Sequence, residues 1–162
     1  MGQKGTTMIE LIIALSITVL VMWVLVYSYL AVMDVFGSEV SKTDIEIEGS
    51  RAMSIVSKEI RELNEIQSGS ATAITFWGRD LNGNGTKEAG EIITYSWDGT
   101  PGGSLVRTVA GAGKPIARLV WDFSITYDNP SPALAKQLSI KIVNASGDRF
   151  STKESTIAPR NL

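Results

Sequence analysis

The chain has no cysteine and no histidine among its 162 residues. Without cysteine there is no disulfide and no thiolate nucleophile or ligand. Without histidine, histidine-based triads and histidine-ligated zinc are excluded. No G-x-S-x-G, P-loop or strand-to-helix G-x-G-x-x-G pattern occurs. Basic residues form no stripe and the net charge is −2, so nothing favours nucleic acid as a partner. The most local absence is charge between Leu11 and Met33.

That uncharged run is the strongest positive signal. As a helix its 23 residues span ~35 Å, enough to cross a hydrocarbon core about 30 Å thick. A secretory signal peptide has an apolar region of about 7–15 residues ending in a small-residue cleavage step. This run is longer and has no A-x-A-like step before Asp34. Its anomaly is Glu10, a carboxylate at the edge of the span. Insertion scales put the cost of a deep acid at up to ~3 kcal/mol, so a compensating partner is expected.

Lys4-Gly5, then Thr6-Thr7-Met8-Ile9-Glu10-Leu11 and an apolar helix, resembles the class III signal of type IV prepilins and pseudopilins. The resemblance implies a membrane peptidase that cuts after the glycine and methylates the new amine. Residue by residue, Gly5 would end the leader, Thr6 would become the N-terminus, and Glu10 would be the family's acid at mature position five. Most members begin with Phe or Met, and Thr6 departs from that habit. An amine at Thr6 of an incoming subunit would meet Glu10 of a neighbour, where low dielectric strengthens the attraction. Lys4 on the short side points to a cytoplasmic N-terminus.

After the span the pattern stays helical to about Ile66. Ile45, Ala52, Val56, Ile60 and Leu63 recur at three-, four- and seven-residue steps, one apolar stripe. Arg51, Lys58, Glu59, Arg61, Glu62 and Glu65 are assigned to the wet face. Gly37 and Gly49 each cost the helix about 1 kcal/mol relative to alanine. Paired acids Glu59 and Glu62 are read as solvated. From Gln67 on, strand runs alternate with turn signals such as Asp98-Gly99 and Pro101-Gly102-Gly103. Leu119, Trp121, Phe123, Ile125 and Tyr127 alternate strictly, which predicts a long strand with these side chains on one face. Trp77, Trp97, Trp121, Tyr95 and Tyr127 are assigned to the core in preference to an exposed platform for sugar or protein.

The expected fold class is α+β: a long N-terminal helix, its first half membrane-spanning, packed on a C-terminal antiparallel sheet of five or six strands. The expected organisation is a leader at 1–5, a transmembrane or filament-core helix at 6–33, an amphipathic half-helix at 34–66, and a β-rich domain at 67–162. Pieces such as Leu105-Val106-Arg107 and the terminal Pro159-Arg160-Asn161-Leu162 are similar to PilW-type minor pilins and J-type pseudopilins. The resemblance implies a non-enzymatic subunit of a type IV pilus. Its partners would be the prepilin peptidase, other pilin subunits and, before assembly, inner-membrane lipid; its final place would be a periplasmic or cell-surface filament. Two alternatives stay open: a pseudopilin of a type II secretion system, and a permanently anchored periplasmic binding module.

One further motif is independent of that reading. Residues 80–91, DLNGNGTKEAGE, match D-x-[DN]-x-[DN]-G-x5-E at every fixed position. By the jobs those positions have in a calcium loop, the ligands would be Asp80, Asn82, Asn84, the Thr86 carbonyl, Glu88 and Glu91. All are hard oxygen donors, which suit Ca²⁺ and not zinc. The flanks are strand-like, not helical, and Lys87 stands at the eighth position. Such a lone loop is expected to bind weakly, with a Kd of ~10⁻⁴ M or above, and to order a long turn. The plain alternative is an ion-free Asn-Gly turn.

Overall fold

A computed structural model describes residues 7–161. Gly5 and Thr6, the expected processing residues, lie outside the described residues. One helix, α1 (Met8–Arg61), is followed by seven strands. The chain divides after Val40 into two compact units.

In the first unit α1 carries exposed apolar side chains around its circumference: Leu11, Ile12, Ile13 and Val21, which point to four sides of the helix, are each 49–61% exposed. An 18-residue window in this helix has a mean hydropathy of 2.7, long and apolar enough to cross a membrane. Ser16 and Thr18 donate their hydroxyls to the carbonyls of Ile12 and Ala14, both at 2.8 Å, so these polar side chains are satisfied within the helix.

In the second unit, the expected stripe is the helix's buried face. Ile45, Ala52, Val56 and Ile60 are all 0–2% exposed. Burial of each Val or Ile contributes roughly 1.5–3 kcal/mol. The helix stops at Arg61 rather than near Ile66. Its last turn tightens through i→i−3 bonds, Glu62 N–H to Glu59 at 3.2 Å and Leu63 N–H to Ile60 at 3.4 Å. Arg160 N–H then caps the Arg61 carbonyl at 3.1 Å, and Asn64 N–H starts the sheet on the Trp77 carbonyl at 2.9 Å. The sequence misled here because Leu63 and Ile66, three apart, fit a helical stripe as well as a helix end followed by a strand.

The sheet is seven-stranded and antiparallel, with the strands adjacent in chain order. They are β1 (Glu65–Gly69), β2 (Ala73–Trp77), β3 (Ile92–Ser96), β4 (Gly103–Val109), β5 (Ala112–Tyr127), β6 (Leu138–Ser146) and β7 (Arg149–Ile157). The strand not anticipated is β1, whose five residues include one fully buried apolar side chain, Ile66. Ala112 and Gly113 belong to β5, although Gly111-Ala112-Gly113 has the local composition of a loop. The β4–β5 hairpin turns on Ala110 and Gly111 alone, with φ of +50° and +80°, the two positive angles a type I′ turn requires.

The alternation in β5 fails where it looked clearest. The residues turned to the helix are Ala117, Val120, Phe123 and Ile125, all at most 4% exposed. Steps of three mark two extra residues, and the ladder shifts register at both places. Leu119, with φ +53°, is therefore 44% exposed and Trp121 48% exposed, which corrects the core assignment of Trp121. Tyr95 is fully buried, and Trp97 and Tyr127 pack against the core; Trp77 is half-buried.

The first irregularity is also where α1 docks. Arg118 N–H donates to Glu48 Oε1 at 2.9 Å, and Asn144 Nδ2 donates to the Arg118 carbonyl at 2.8 Å. Both backbone groups of Arg118 thus find partners away from the ladder. Gly49, beside Glu48, lets the helix approach: a Cβ there would lie 2.8 Å from Asn144 Oδ1. Gly49 is a packing requirement, not only a weak point in the helix.

Candidate functional site

Three groups of residues carry chemistry. The first opens α1. Thr7 N–H donates to Glu10 Oε2 at 2.9 Å, and Glu10 N–H donates to Thr7 Oγ1 at 3.4 Å. This reciprocal pair is a capping box, and it satisfies two donors that a helix start leaves unpaired. The carboxylate also lies at the positive end of the helix dipole. The sequence reading gave Glu10 an intermolecular role and missed the local one. The signal was present as Thr7-x-x-Glu10.

The second is the loop between β2 and β3, so the 80–91 motif sits in a hairpin as expected. Asp80 turns back on its own loop, accepting N–H bonds from Gly83 at 2.6 Å and Gly85 at 2.8 Å. Gly83 and Gly85 have φ of +72° and +69°, conformations that glycine adopts without strain. These bonds, chiefly that from Gly85, hold the Asp80 pKa below its ordinary value. Asn82 and Asn84 donate from Nδ2 to Glu88 Oε1 at 3.0 and 2.9 Å. Thr86 donates its N–H and hydroxyl to Asn84 Oδ1 at 2.8 and 2.6 Å. Glu91 is 3% exposed. It accepts from Trp77 Nε1 at 3.1 Å and from Leu81 N–H at 2.8 Å.

One hydrogen-bond network therefore joins the side chains of Asn82, Asn84, Thr86 and Glu88; Asp80 holds the backbone of the same loop, and Glu91 is bound to the residue next to Asp80. Among the described residues, no three acidic side chains form a ready metal cluster. Every candidate ligand atom is oxygen, the chemistry a hard cation takes; the Asp80 and Glu91 oxygens accept one bond each and keep a lone pair, while Glu88 Oε1 and Asn84 Oδ1 each already accept two bonds. Lys87 clamps the loop. Its Nζ lies 2.7 Å from Glu65 Oε1 and 6.0 Å from the Trp77 ring centroid, so the eighth position is a tether to β1 and β2.

The third group was not anticipated. Glu59, assigned to the wet face, turns to the sheet. The Tyr95 hydroxyl donates to Glu59 Oε2. Arg107 Nε donates to both Glu59 oxygens at 3.1 and 2.9 Å, and Arg107 Nη2 reaches Oε1 at 2.8 Å. Burial, then the Glu59 carboxylate, push the Tyr95 pKa far above its ordinary value; the Glu59 bond raises that of Arg107. Such a triad ties helix to sheet. Nothing in the periodicity separates Glu59 from its solvated neighbour Glu62; only the positions of β3 and β4 do.

No family model, curated protein or solved structure matches this chain.

Proposed function

We propose that the chain is a structural subunit, a minor one, of a type IV pilus. It enters the inner membrane, is cut after Gly5 by a prepilin peptidase, and joins a periplasmic or cell-surface filament through α1. The observation that supports this reading is the uncovered apolar surface of the helix. Side chains from Met8 to Phe36 are exposed on every face, and Glu10 is the single acid at their start. Apolar surface gains about 25 cal/mol per Å² on leaving water. Lipid covers it before assembly and neighbouring helices cover it afterwards. The work is non-covalent, and the chain is a peptidase substrate rather than an enzyme.

Glu10 then serves in turn as a helix cap and as the partner of a neighbour's new amine. Glu10→Gln separates these roles, because glutamine also completes a capping box. Filament assembly is lost in Glu10→Gln while amide exchange at the helix start stays slow. Normal assembly of this variant would remove the charge-pairing argument. Mass spectrometry of the native N-terminus tests the whole reading: the expected product begins at methylated Thr6, and an intact Met1 refutes it.

The 80–91 loop is part of the same proposal. Asp80, Asn82, Asn84, the Thr86 carbonyl, Glu88 and Glu91 would hold Ca²⁺, which would supply positive charge that orders a long turn in a cysteine-free domain. Calorimetric titration of the full chain in detergent is expected to give a Kd of ~10⁻⁴ M. Absence of heat, or heat unchanged in Asp80→Ala, ends this part alone.

A further inference from the structure

The two edges of the sheet are treated differently. At the β1 edge, the segment around the 3-10 turn Pro132–Leu134 closes in. Tyr127 donates its hydroxyl to the Ser70 carbonyl at 3.3 Å. A Cβ on Gly69 would lie 3.0 Å from Pro132 Cβ. At the other edge, β7 pairs only with β6. The two-residue turn at Gly147-Asp148 makes Ser146 and Arg149 the first pair of that ladder, and in such hairpins the flanking pair is hydrogen-bonded. Alternation then directs the N–H and C=O groups of Phe150, Thr152, Glu154 and Thr156 away from β6. Among the described residues, no backbone partner from another element reaches them.

Beside this edge lies an apolar shelf. The irregularities in β5 bring Leu119 and Trp121 out of the core. Trp121 meets Phe150 of β7 edge-to-face, with ring centroids 5.4 Å apart. Phe150 is 55% exposed. The nearby charges Asp122 and Lys141 are paired with each other at 3.5 Å, so the shelf offers an aromatic surface with its closest polar groups already engaged. That composition fits a protein side chain better than a sugar.

A second copy does not fit this edge well. In an antiparallel sheet, opposed residues must share a face. A twofold β7–β7 ladder centred on Ser151 opposes Arg149 to Lys153, and one centred on Thr152 opposes Phe150 to Glu154. Centring on Lys153 or Glu154 opposes each to itself, and like charges directly opposite are destabilising; centring on Ser155 avoids this but pairs only residues 153–157 of the strand and leaves Phe150 without a partner.

We propose that β7 is the docking edge for an extended segment of a different polypeptide, which adds to the sheet as an eighth strand. Its recognition chemistry follows from the two faces of β7. It carries an apolar residue against Phe150 and, three positions away on the opposite face, an acid against Lys153. Main-chain bonds to the outward groups of β7 hold it, and the side chains choose it. This does not require the filament reading: the partner is defined by the edge and not by α1.

The test is photo-crosslinking of the full chain in its own cells, with a benzophenone side chain placed at Thr156 and, as control, at Leu134. The expected result is one dominant adduct from position 156, whose sequenced partner segment carries the apolar–acid pair. Thr152→Pro, which deletes an outward N–H, and Phe150→Ala each lower its yield about tenfold, the effect of losing one or two such contacts. Position 134 gives no such adduct. An adduct to the β7 of a second copy, an adduct to a helical segment, a yield indifferent to Phe150→Ala, or no adduct overturns the proposal. Because Phe150 is exposed, Phe150→Ala decides the matter even if the proline variant folds poorly. An intact Met1 on the same material would refute the filament reading while leaving this result standing.

Discussion

The two ends of α1 share a backbone and almost nothing else. Toward Met8 its apolar residues are exposed among the described residues; toward Arg61 they sit in a core against the sheet, with charges arranged around them. Hydrogen bonding i→i−4 is the same in both parts, so helix propensity does not distinguish them. What differs is the surface each part presents, apolar on every face toward Met8 and apolar along one stripe toward Arg61. A run apolar on every face needs lipid or other helices, whereas a stripe needs one partner surface.

The largest effect should come from placing the same charge in both parts. Val56→Asp buries a carboxylate at a fully covered site and is expected to destabilise the sheet-bearing unit by at least about 4 kcal/mol in urea unfolding. Val24→Asp should leave that unfolding curve unchanged and instead oppose membrane insertion by ~3 kcal/mol. Equal effects on unfolding would dissolve the distinction between the halves.

Next in size is the tie between helix and sheet. Glu59→Ala leaves a buried tyrosine hydroxyl and a half-buried guanidinium without their acceptor, and should cost about 2–3 kcal/mol. A double-mutant cycle with Arg107→Ala should show non-additive losses. Strict additivity would mean the contact contributes nothing of its own.

Two glycines give opposite signs on one helix. Gly49→Ala drives a methyl against Asn144 and should lower stability by about 1–2 kcal/mol, despite the better helix propensity of alanine. Gly37→Ala meets no atom within 4 Å and should stabilise its part of the helix by about 1 kcal/mol, read as slower amide exchange around it. Stabilisation at both sites would show that Asn144 moves aside freely.

The smallest effect is a titration. Burial raises the Tyr127 pKa from 10.0 to about 12. A pKa raised in the folded state means stability that is complete below pH 10 and lost as pH rises toward about 12. Tyr127→Phe should remove part of that alkaline loss and leave neutral-pH unfolding nearly unchanged. An identical alkaline slope in the variant would assign the loss elsewhere.

Much of this arrangement was readable in the residues. The uncharged run, the stripe through Ile45, Val56 and Ile60, and the strands around Phe76, Tyr95 and Ile140 follow from local period alone. The calcium-type spacing also landed in a hairpin, as its flanks implied. What resisted were features set by distant partners. Glu59 and Glu62 look alike until Tyr95 and Arg107 lie over one of them. Trp121 and Phe123 share a parity that two register shifts undo, and at the first of them Glu48 and Asn144 take up the backbone groups of Arg118. Gly49 reads as a defect until Asn144 is placed opposite it.

The sheet's uninterrupted neighbour-to-neighbour order has a consequence for biogenesis. Each strand can pair as soon as the one before it has formed, without waiting for any segment made later, so contact order within the sheet is low and closure is fast. During synthesis the domain can zip up in the order of translation. Of the seven strands described, β7 is made last, so its outer edge becomes available only once the other six can already be in place.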